Sequence, residues 1–372
     1  MPSKTRKAAA QASYQQGQRK NMIYNGDMEI CQRSTSVSGI GNGDAGYHVQ
    51  DRWRVGEGGA PNAVVTMSKS TTAPDGFASS LKLDCTTDSG TVADGDLVVI
   101  SQLFEGQDLQ SWNKGDAQAR AVTVSFWVNT TQTGTYIVSM YDNDNNRACS
   151  QAYTVSSSDT WEYKTVTFPP DTTGAYDNDN AVSLYLYWGL VAGIDYNGSS
   201  ATLCTTWESN NNPDRFKGQV DAFDDTSNNF HLTGVQMELG NTATDFQYES
   251  HAENLARCQR YYEDWPLGSY TSTGNSYATN AFVGCQFPFR VTKRATPTLG
   301  HPTIGQSSGN VSATNATGNW ITTQPNDLLS ASTVAQGLVY ITTSQSAAGL
   351  TDDSIMSIYQ SGTGSLTFDS EL

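Results

Sequence analysis

Charged side chains are scarce in this sequence. Asp, Glu, Lys and Arg make up 16% of its 372 residues, against roughly 25% in an average globular domain. The missing polarity is supplied by Ser, Thr, Asn, Gln and Gly, the residues of turn-rich β proteins. Long apolar runs are absent: nothing approaches the ~20 consecutive residues of a membrane-crossing helix, so no membrane insertion is expected. The opening Met1-Pro2-Ser3-Lys4 lacks the apolar core of a secretory signal. Cysteine spacing suited to zinc is missing as well. Cys31, Cys85, Cys149, Cys204, Cys258 and Cys285 stand at least 27 residues apart, which leaves no CxxC pair. Without an export signal, the expectation is free thiols packed in the interior.

Catalytic signatures are also lacking. The four histidines, His48, His231, His251 and His301, have no G-x-S-x-G, H-E-x-x-H or Cys-His pattern beside them. Phosphate loops and Rossmann glycines are absent, which argues against nucleotide chemistry. The expectation is therefore a protein that is not an enzyme. Glycoside hydrolysis needs only two suitably spaced carboxylates, and among 37 acidic residues the sequence singles out no such pair.

What charge there is lies unevenly. Residues 1–20 carry Lys4, Arg6, Lys7, Arg19 and Lys20 and no acid, whereas the rest of the chain holds 16 basic and 37 acidic residues. An acidic body repels the phosphates that dominate nucleic-acid affinity, so no nucleic-acid partner is expected. The basic arm suits docking on an acidic protein surface, or a solubilising tail.

Strand-like alternation recurs along the body. In Val122-Thr-Val-Ser-Phe-Trp-Val128 the residues Val122, Val124, Phe126 and Val128 face one way, the mark of a half-buried strand. Segments 98–104, 135–140, 162–168, 183–188 and 231–239 repeat it between Gly, Asn, Asp and Ser turns, at spacings suited to an antiparallel jelly-roll β-sandwich. One helix is predicted over 251–266: Ser250 and Glu253 fit a capping box, Leu255, Cys258 and Tyr262 share a face, and Pro266 stops the element. Beyond it, short strand candidates at 280–290, 319–323, 337–342 and 354–359 suggest a smaller β domain. The predicted organisation is an arm at 1–20, a sandwich over 21–250, a connecting helix over 251–266 and a C-terminal β domain over 267–372.

Two kinds of candidate site stand out. The runs Tyr141-Asp-Asn-Asp-Asn-Asn-Arg147 and Tyr176-Asp-Asn-Asp-Asn180 place Asp142, Asp144, Asp177 and Asp179 as carboxylates that calcium could gather. They lack the glycine and distal glutamate of an EF-hand loop, and the same residues build ordinary hairpin turns. No other cofactor is suggested. For glycan, Tyr185 and Tyr187 share one face of segment 183–188 while Leu184, Leu186 and Trp188 share the other, and Trp207 falls in a polar loop. Aromatic rings at such places can instead complete a core or a subunit interface.

Three stretches resemble one family. Asn21-Met-Ile-Tyr-Asn-Gly-Asp-Met-Glu-Ile-Cys-Gln-Arg33 with Tyr47-His-Val-Gln-Asp-Arg-Trp53 resembles the opening of jelly-roll domains in phage tail-fibre and related virion proteins. His231-Leu-Thr-Gly-Val-Gln-Met-Glu-Leu-Gly-Asn-Thr-Ala-Thr-Asp-Phe246 and Glu253-Asn-Leu-Ala-Arg-Cys-Gln-Arg-Tyr-Tyr-Glu263 resemble its close, and Thr160-Trp-Glu-Tyr-Lys-Thr-Val-Thr-Phe168 a strand between them. Phe287-Pro-Phe-Arg-Val-Thr-Lys-Arg-Ala-Thr-Pro-Thr298 and Phe368-Asp-Ser-Glu-Leu372 are similar to tail-fibre ends, over a shorter stretch. The resemblance implies a carbohydrate-binding-module-like jelly roll on the tail or capsid exterior, assembled in the host cytoplasm as a homotrimer, with the basic arm attaching it to other virion proteins. It implies adsorption to host-surface polysaccharide, with a head-fibre, capsid-decoration or tail-adaptor role as the alternative and a polysaccharide depolymerase as a third reading. In the opening motif, Asn25-Gly26 is expected to reverse a first strand, and Asp51-Arg52 to pin a strand start beside Trp53.

Overall fold

The computed structural model describes residues 21–266, 272–276, 283–300, 312–314, 320–322, 330–331, 338–342, 355–359 and 365–372. The basic arm with Lys4, Arg6, Lys7, Arg19 and Lys20 lies outside the described residues. The chain divides into two compact units, Met1–His251 and Ala252–Leu372.

In the first unit the strands are β1 (Ser36–Gly41), β2 (Gly46–Tyr47), β3 (Arg54–Gly58), β4 (Val64–Ser70), β5 (Ser80–Thr87), β6 (Leu97–Glu105), β7 (Val122–Thr130), β8 (Gly134–Asp142), β9 (Arg147–Val155), β10 (Glu162–Phe168), β11 (Val182–Ala192), β12 (Glu208–Ser209) and β13 (Asn229–Leu239). They form two antiparallel sheets: sheet A in the order β1-β4-β5-β13-β7-β10 and sheet B in the order β12-β9-β8-β11-β6-β3-β2. This is the jelly-roll sandwich that the alternating segments predict. Period-two patterning explains the core, because each strand turns one row of side chains inward. Val122, Val124, Phe126 and Val128 of β7 are all buried, as are Leu184, Leu186 and Trp188 of β11. Aromatic rings join the sheets: Phe126 meets Trp188 at 5.6 Å and Tyr153 at 5.0 Å, both edge-on, a favoured geometry for ring quadrupoles.

The opening motif acts differently from its expected role. Residues 21–35 form no strand. Asn25 does take the left-handed conformation, at φ 51°, but its amide is spent on the chain ahead: Nδ2 donates to the carbonyls of Ile30 and Asp51, and Oδ1 accepts the Ile30 amide. Gly26 is required by a neighbour. A Cβ there would stand 2.2 Å from the carbonyl oxygen of Val235 in β13. Asp51 is fully buried and accepts the Gln32 amide at 3.0 Å, with Arg33 at 3.9 Å. Arg52 reaches across to the Leu103 carbonyl, and the Trp53 indole donates to Asn25. These polar residues fasten a coil over the sandwich.

The second unit opens within helix His251–Gln259, which is followed by strand Tyr262–Pro266. The helix predicted over 251–266 is thus shorter, since residues 262–266 pair antiparallel with Ser365–Asp369, a partner a hundred residues away that local periodicity cannot register. Thr298–Gly300 pairs with the same strand on its other side. A further antiparallel sheet includes Ser272–Ser276, Val283–Pro288, Leu338–Thr342 and Ile355–Tyr359, in keeping with the predicted C-terminal strands. Glu263 and Lys293 form a fully buried ion pair at 2.5 Å. It links the family-like close to the Phe287–Thr298 motif, and Trp265 donates to the same carboxylate at 2.6 Å.

Candidate functional site

The outer face of sheet B carries the tyrosines. With Leu184, Leu186 and Trp188 turned into the core, Tyr185 and Tyr187 project outward, half-buried. Their rings lie parallel within 11°, centroids 5.5 Å apart. Register places Tyr141 of β8 opposite Tyr185, with the two rings 5.9 Å apart. Into this row comes Arg215, from the helical turn Asn212–Arg215. Its guanidinium carbon stands 5.1 Å from the centre of the Tyr141 ring and 5.0 Å from that of Tyr187, within cation–π range. Arg215 is 7% exposed, and its Nε and Nη2 have no hydrogen-bond partner among the described residues.

The covering segment is seated by a second core. Phe216 packs with Leu97, Val99 and Ile137, and Tyr187, Tyr196 and Leu203 join them. Gly189 makes room for it, since a Cβ there would fall 2.7 Å from the Phe216 ring. Burial pushes the Tyr187 phenol up to about 12, with Arg215 opposing it, and burial likewise raises Tyr185. Both phenols are therefore neutral at physiological pH and able to donate as well as accept hydrogen bonds. Parallel apolar rings and neutral hydroxyls suit a sugar ring that carries hydroxyls, and the buried Arg215 guanidinium holds two of the rings in place.

Trp207 does not join this row. Its indole donates to the Pro169 carbonyl at 3.0 Å, and the Lys114 ammonium lies 4.9 Å from the ring centre. Lys114 is itself buried between Asp142 at 2.5 Å and Asp171 at 3.0 Å. Arg147 grips Asp171 with two N–H groups, at 2.8 and 3.1 Å. Burial alone would raise the Asp171 carboxyl, but the hydrogen bonds from Arg147 and Lys114 outweigh it and hold the group below the usual carboxylate range. Trp207 roofs a buried ion cluster.

Of the four acidic candidates for calcium, Asp142, Asp144 and Asp179 spend carboxylate oxygens on bracing, and Asp177 joins through its backbone. Asp142 takes Lys114 and the Asn145 amide. Asp144 accepts the Asp177 amide at 3.0 Å, so the two Asp/Asn turns do meet. Asp179 accepts the amides of Ala181 and Gln107 through its side chain and its backbone. Among the described residues, no group of three or more His, Cys, Asp or Glu side chains is placed to hold a metal ion. Cys31, Cys85, Cys149, Cys204 and Cys258 are free thiols. Burial raises Cys31 and Cys149 to about 12, which makes them poor nucleophiles. The Cys285 side chain lies outside the described residues.

Sequence reasoning finds Tyr185 and Tyr187 through alternation but misses Tyr141 and Arg215. Tyr141 required strand register. Arg215 lies 28 residues beyond Tyr187, and no local pattern marks it.

No protein-family model and no curated protein matches the chain. Among solved structures, it is similar to the enzymatically active domain of tailspike protein 4 of bacteriophage CBA120, at 14% identity and TM-score 0.31, covering 59% of this chain and 21% of that one. A CBM4 structure is matched at 14% identity and TM-score 0.32, over 58% of this chain and 99% of the other. The CBM22-1 xylan-binding domain of Paenibacillus barcinonensis Xyn10C is matched at 11% identity and TM-score 0.28, over 61% and 100%. The chain thus spans about a fifth of the tailspike domain. Likenesses of this strength carry nothing about ligand or chemistry.

Proposed function

We propose that the chain is a phage virion protein, a tail fibre that mediates adsorption by binding host-surface glycan through the outer face of sheet B. The single observation that carries the glycan reading is the row of Tyr141, Tyr185 and Tyr187 with the Arg215 guanidinium between two of its rings. A pyranose presents an apolar C–H face that stacks on such rings. Its hydroxyls would be met by the neutral phenols. The virion reading is supported by the resemblance of the opening and closing motifs to virion jelly rolls. In the proposed assembly, three copies present the face together and the basic arm docks on tail or capsid protein. Weak single-site contacts are then multiplied by linkage without any new contact chemistry.

A second reading, a head-fibre, decoration or adaptor protein, is favoured by one observation. The polar residues of the family-like motif, Asn25 and Asp51 among them, are spent on folding, so the resemblance speaks for architecture rather than ligand. Binding of the labelled full-length protein to host cells separates the two. Periodate-sensitive binding is expected. Absence of cell binding by folded protein, together with capture by capsid or tail protein through residues 1–20, would favour the structural role.

A further inference from the structure

Sheet A carries on its own outer face a groove of about 780 Å³, on the opposite side of the sandwich from the tyrosine row. Its floor is built by β7 and β10. Outward positions place Ser125 opposite Thr165 and Thr123 opposite Thr167, so four hydroxyl side chains form a square. The next rung on that face, Trp127 opposite Tyr163, closes one end with rings 5.4 Å apart. At ~3.4 Å per residue, the floor from Thr123 to Trp127 runs ~14 Å, room for a short chain of sugars. The far wall is aromatic too. Phe77 contacts Phe246 at 5.0 Å and Tyr248 at 5.7 Å.

Three features mark this groove as built for a ligand. Among the described residues, the exposed large hydrophobic side chains are Tyr163 at 46%, Ile194 at 48% and Tyr248 at 59%, and two of the three line the groove. Gly234, in the left-handed conformation at φ 61°, lets the walls converge: a Cβ there would stand 2.6 Å from the Phe77 ring and 3.0 Å from Trp127. The floor hydroxyls are unevenly committed. Thr123 and Thr167 bond each other at 3.0 Å, and Ser125 is only 2% exposed, while the exposed Thr165 takes no side-chain hydrogen bond among the described residues.

The lining also sets the charge of the ligand. Asp75 and Asp245 belong to it, and no Lys, Arg or His does, so an anionic ligand would meet repulsion with no cation to offset it. An apolar peptide side chain laid on the floor would strand hydroxyls without partners, which costs free energy. A sugar offers them hydroxyls and covers the aromatic rings with C–H groups.

We propose that this groove is a second saccharide site, taking a short neutral or amine-bearing oligosaccharide, with Trp127 and Tyr163 as the stacking platform and Thr165 as hydroxyl partner. It extends the glycan-binding reading above to a second face, but its chemistry is independent of the tyrosine row. The test is an array of neutral hexose and hexosamine oligosaccharides and of uronate-bearing ones, probed with the full-length protein, Tyr163→Ala, Thr165→Val and Tyr185→Ala, each checked for an unchanged melting transition. Tyr163 is exposed and Thr165→Val preserves shape and β preference, so both variants should fold. The expected result is neutral-oligosaccharide binding weakened about tenfold or more by Tyr163→Ala, weakened by Thr165→Val, and unaffected by Tyr185→Ala. Neutral binding lost in Tyr185→Ala and intact in Tyr163→Ala would overturn the second site while leaving the tyrosine row standing. No binding to any sugar would overturn both. Occupation of the groove by an extended peptide added to edge strand β10, indifferent to Thr165→Val, would overturn the saccharide assignment.

Discussion

The side-chain oxygen of Asn21 accepts the backbone amide of Met237 at 3.1 Å, 216 residues away in sequence. The Asn21 side-chain Nδ2 donates to the Val235 carbonyl at 3.2 Å. One buried side chain thereby fastens the start of the opening motif to the strand that carries the closing motif, a physical reason for the two to occur together. Asn21→Ala would leave a buried amide and carbonyl without partners, at a cost of about 1–3 kcal/mol. Urea unfolding should show a lower midpoint with an unchanged slope. An unaltered midpoint would mean that the clip is dispensable.

Lys114 provides a second test. Its ammonium, together with the Arg147 guanidinium on Asp171, neutralises Asp142 and Asp171 in the interior, and removing one member of a buried ion cluster costs about 3–5 kcal/mol because the rest is left uncompensated. Lys114→Met should lower the thermal midpoint sharply. With the ammonium seated against Asp142, adding calcium or EDTA to the wild-type protein should leave its midpoint unchanged. A calcium-dependent rise would assign the Asp/Asn turns to metal after all.

His231 gives a pH dependence of known sign. Desolvation first, and the Lys82 charge second, lower it from 6.5 to about 4, and its Nδ1 lies 3.1 Å from the Ser80 hydroxyl. Between these values the unfolded chain binds a proton that the folded protein does not, so stability rises with pH in that window. The contribution is complete above pH 6.5 and lost as pH falls towards 4, amounting to about 3 kcal/mol at most. His231→Gln should flatten the change in urea midpoint between pH 7 and 4.5 relative to wild type. Parallel pH curves for the two proteins would sink this assignment.

The sandwich was largely written in period two. Alternation in 122–128 and 183–188 marks the very residues that fill the core, Phe126 and Trp188 among them, and it delivers Tyr185 and Tyr187 to the outer face. What alternation cannot carry is pairing. Tyr141 joins the row through the register of β8 with β11, and Arg215 through a loop folded back over the sheet. Loop polarity likewise misleads at Trp207, whose surroundings read as exposed while its ring roofs Lys114. The first Asp/Asn run does hold a turn, at residues 143–146, but the partners of both runs, Lys114 for Asp142 above all, come from distant strands and loops. The groove on sheet A was hidden for the same reason, since Phe77, Trp127, Tyr163 and Tyr248 are gathered from four separate segments.

The central claim, that the tyrosine row binds glycan, is tested most directly by titrating polysaccharide purified from the host surface into the full-length wild-type protein and into the Tyr185→Leu and Arg215→Met variants, with melting transitions recorded for each. The account predicts saturable binding by wild type and a loss of about tenfold or more, equivalent to about 1.4 kcal/mol, in each variant that keeps its fold. Equal affinity in all three folded proteins would contradict it.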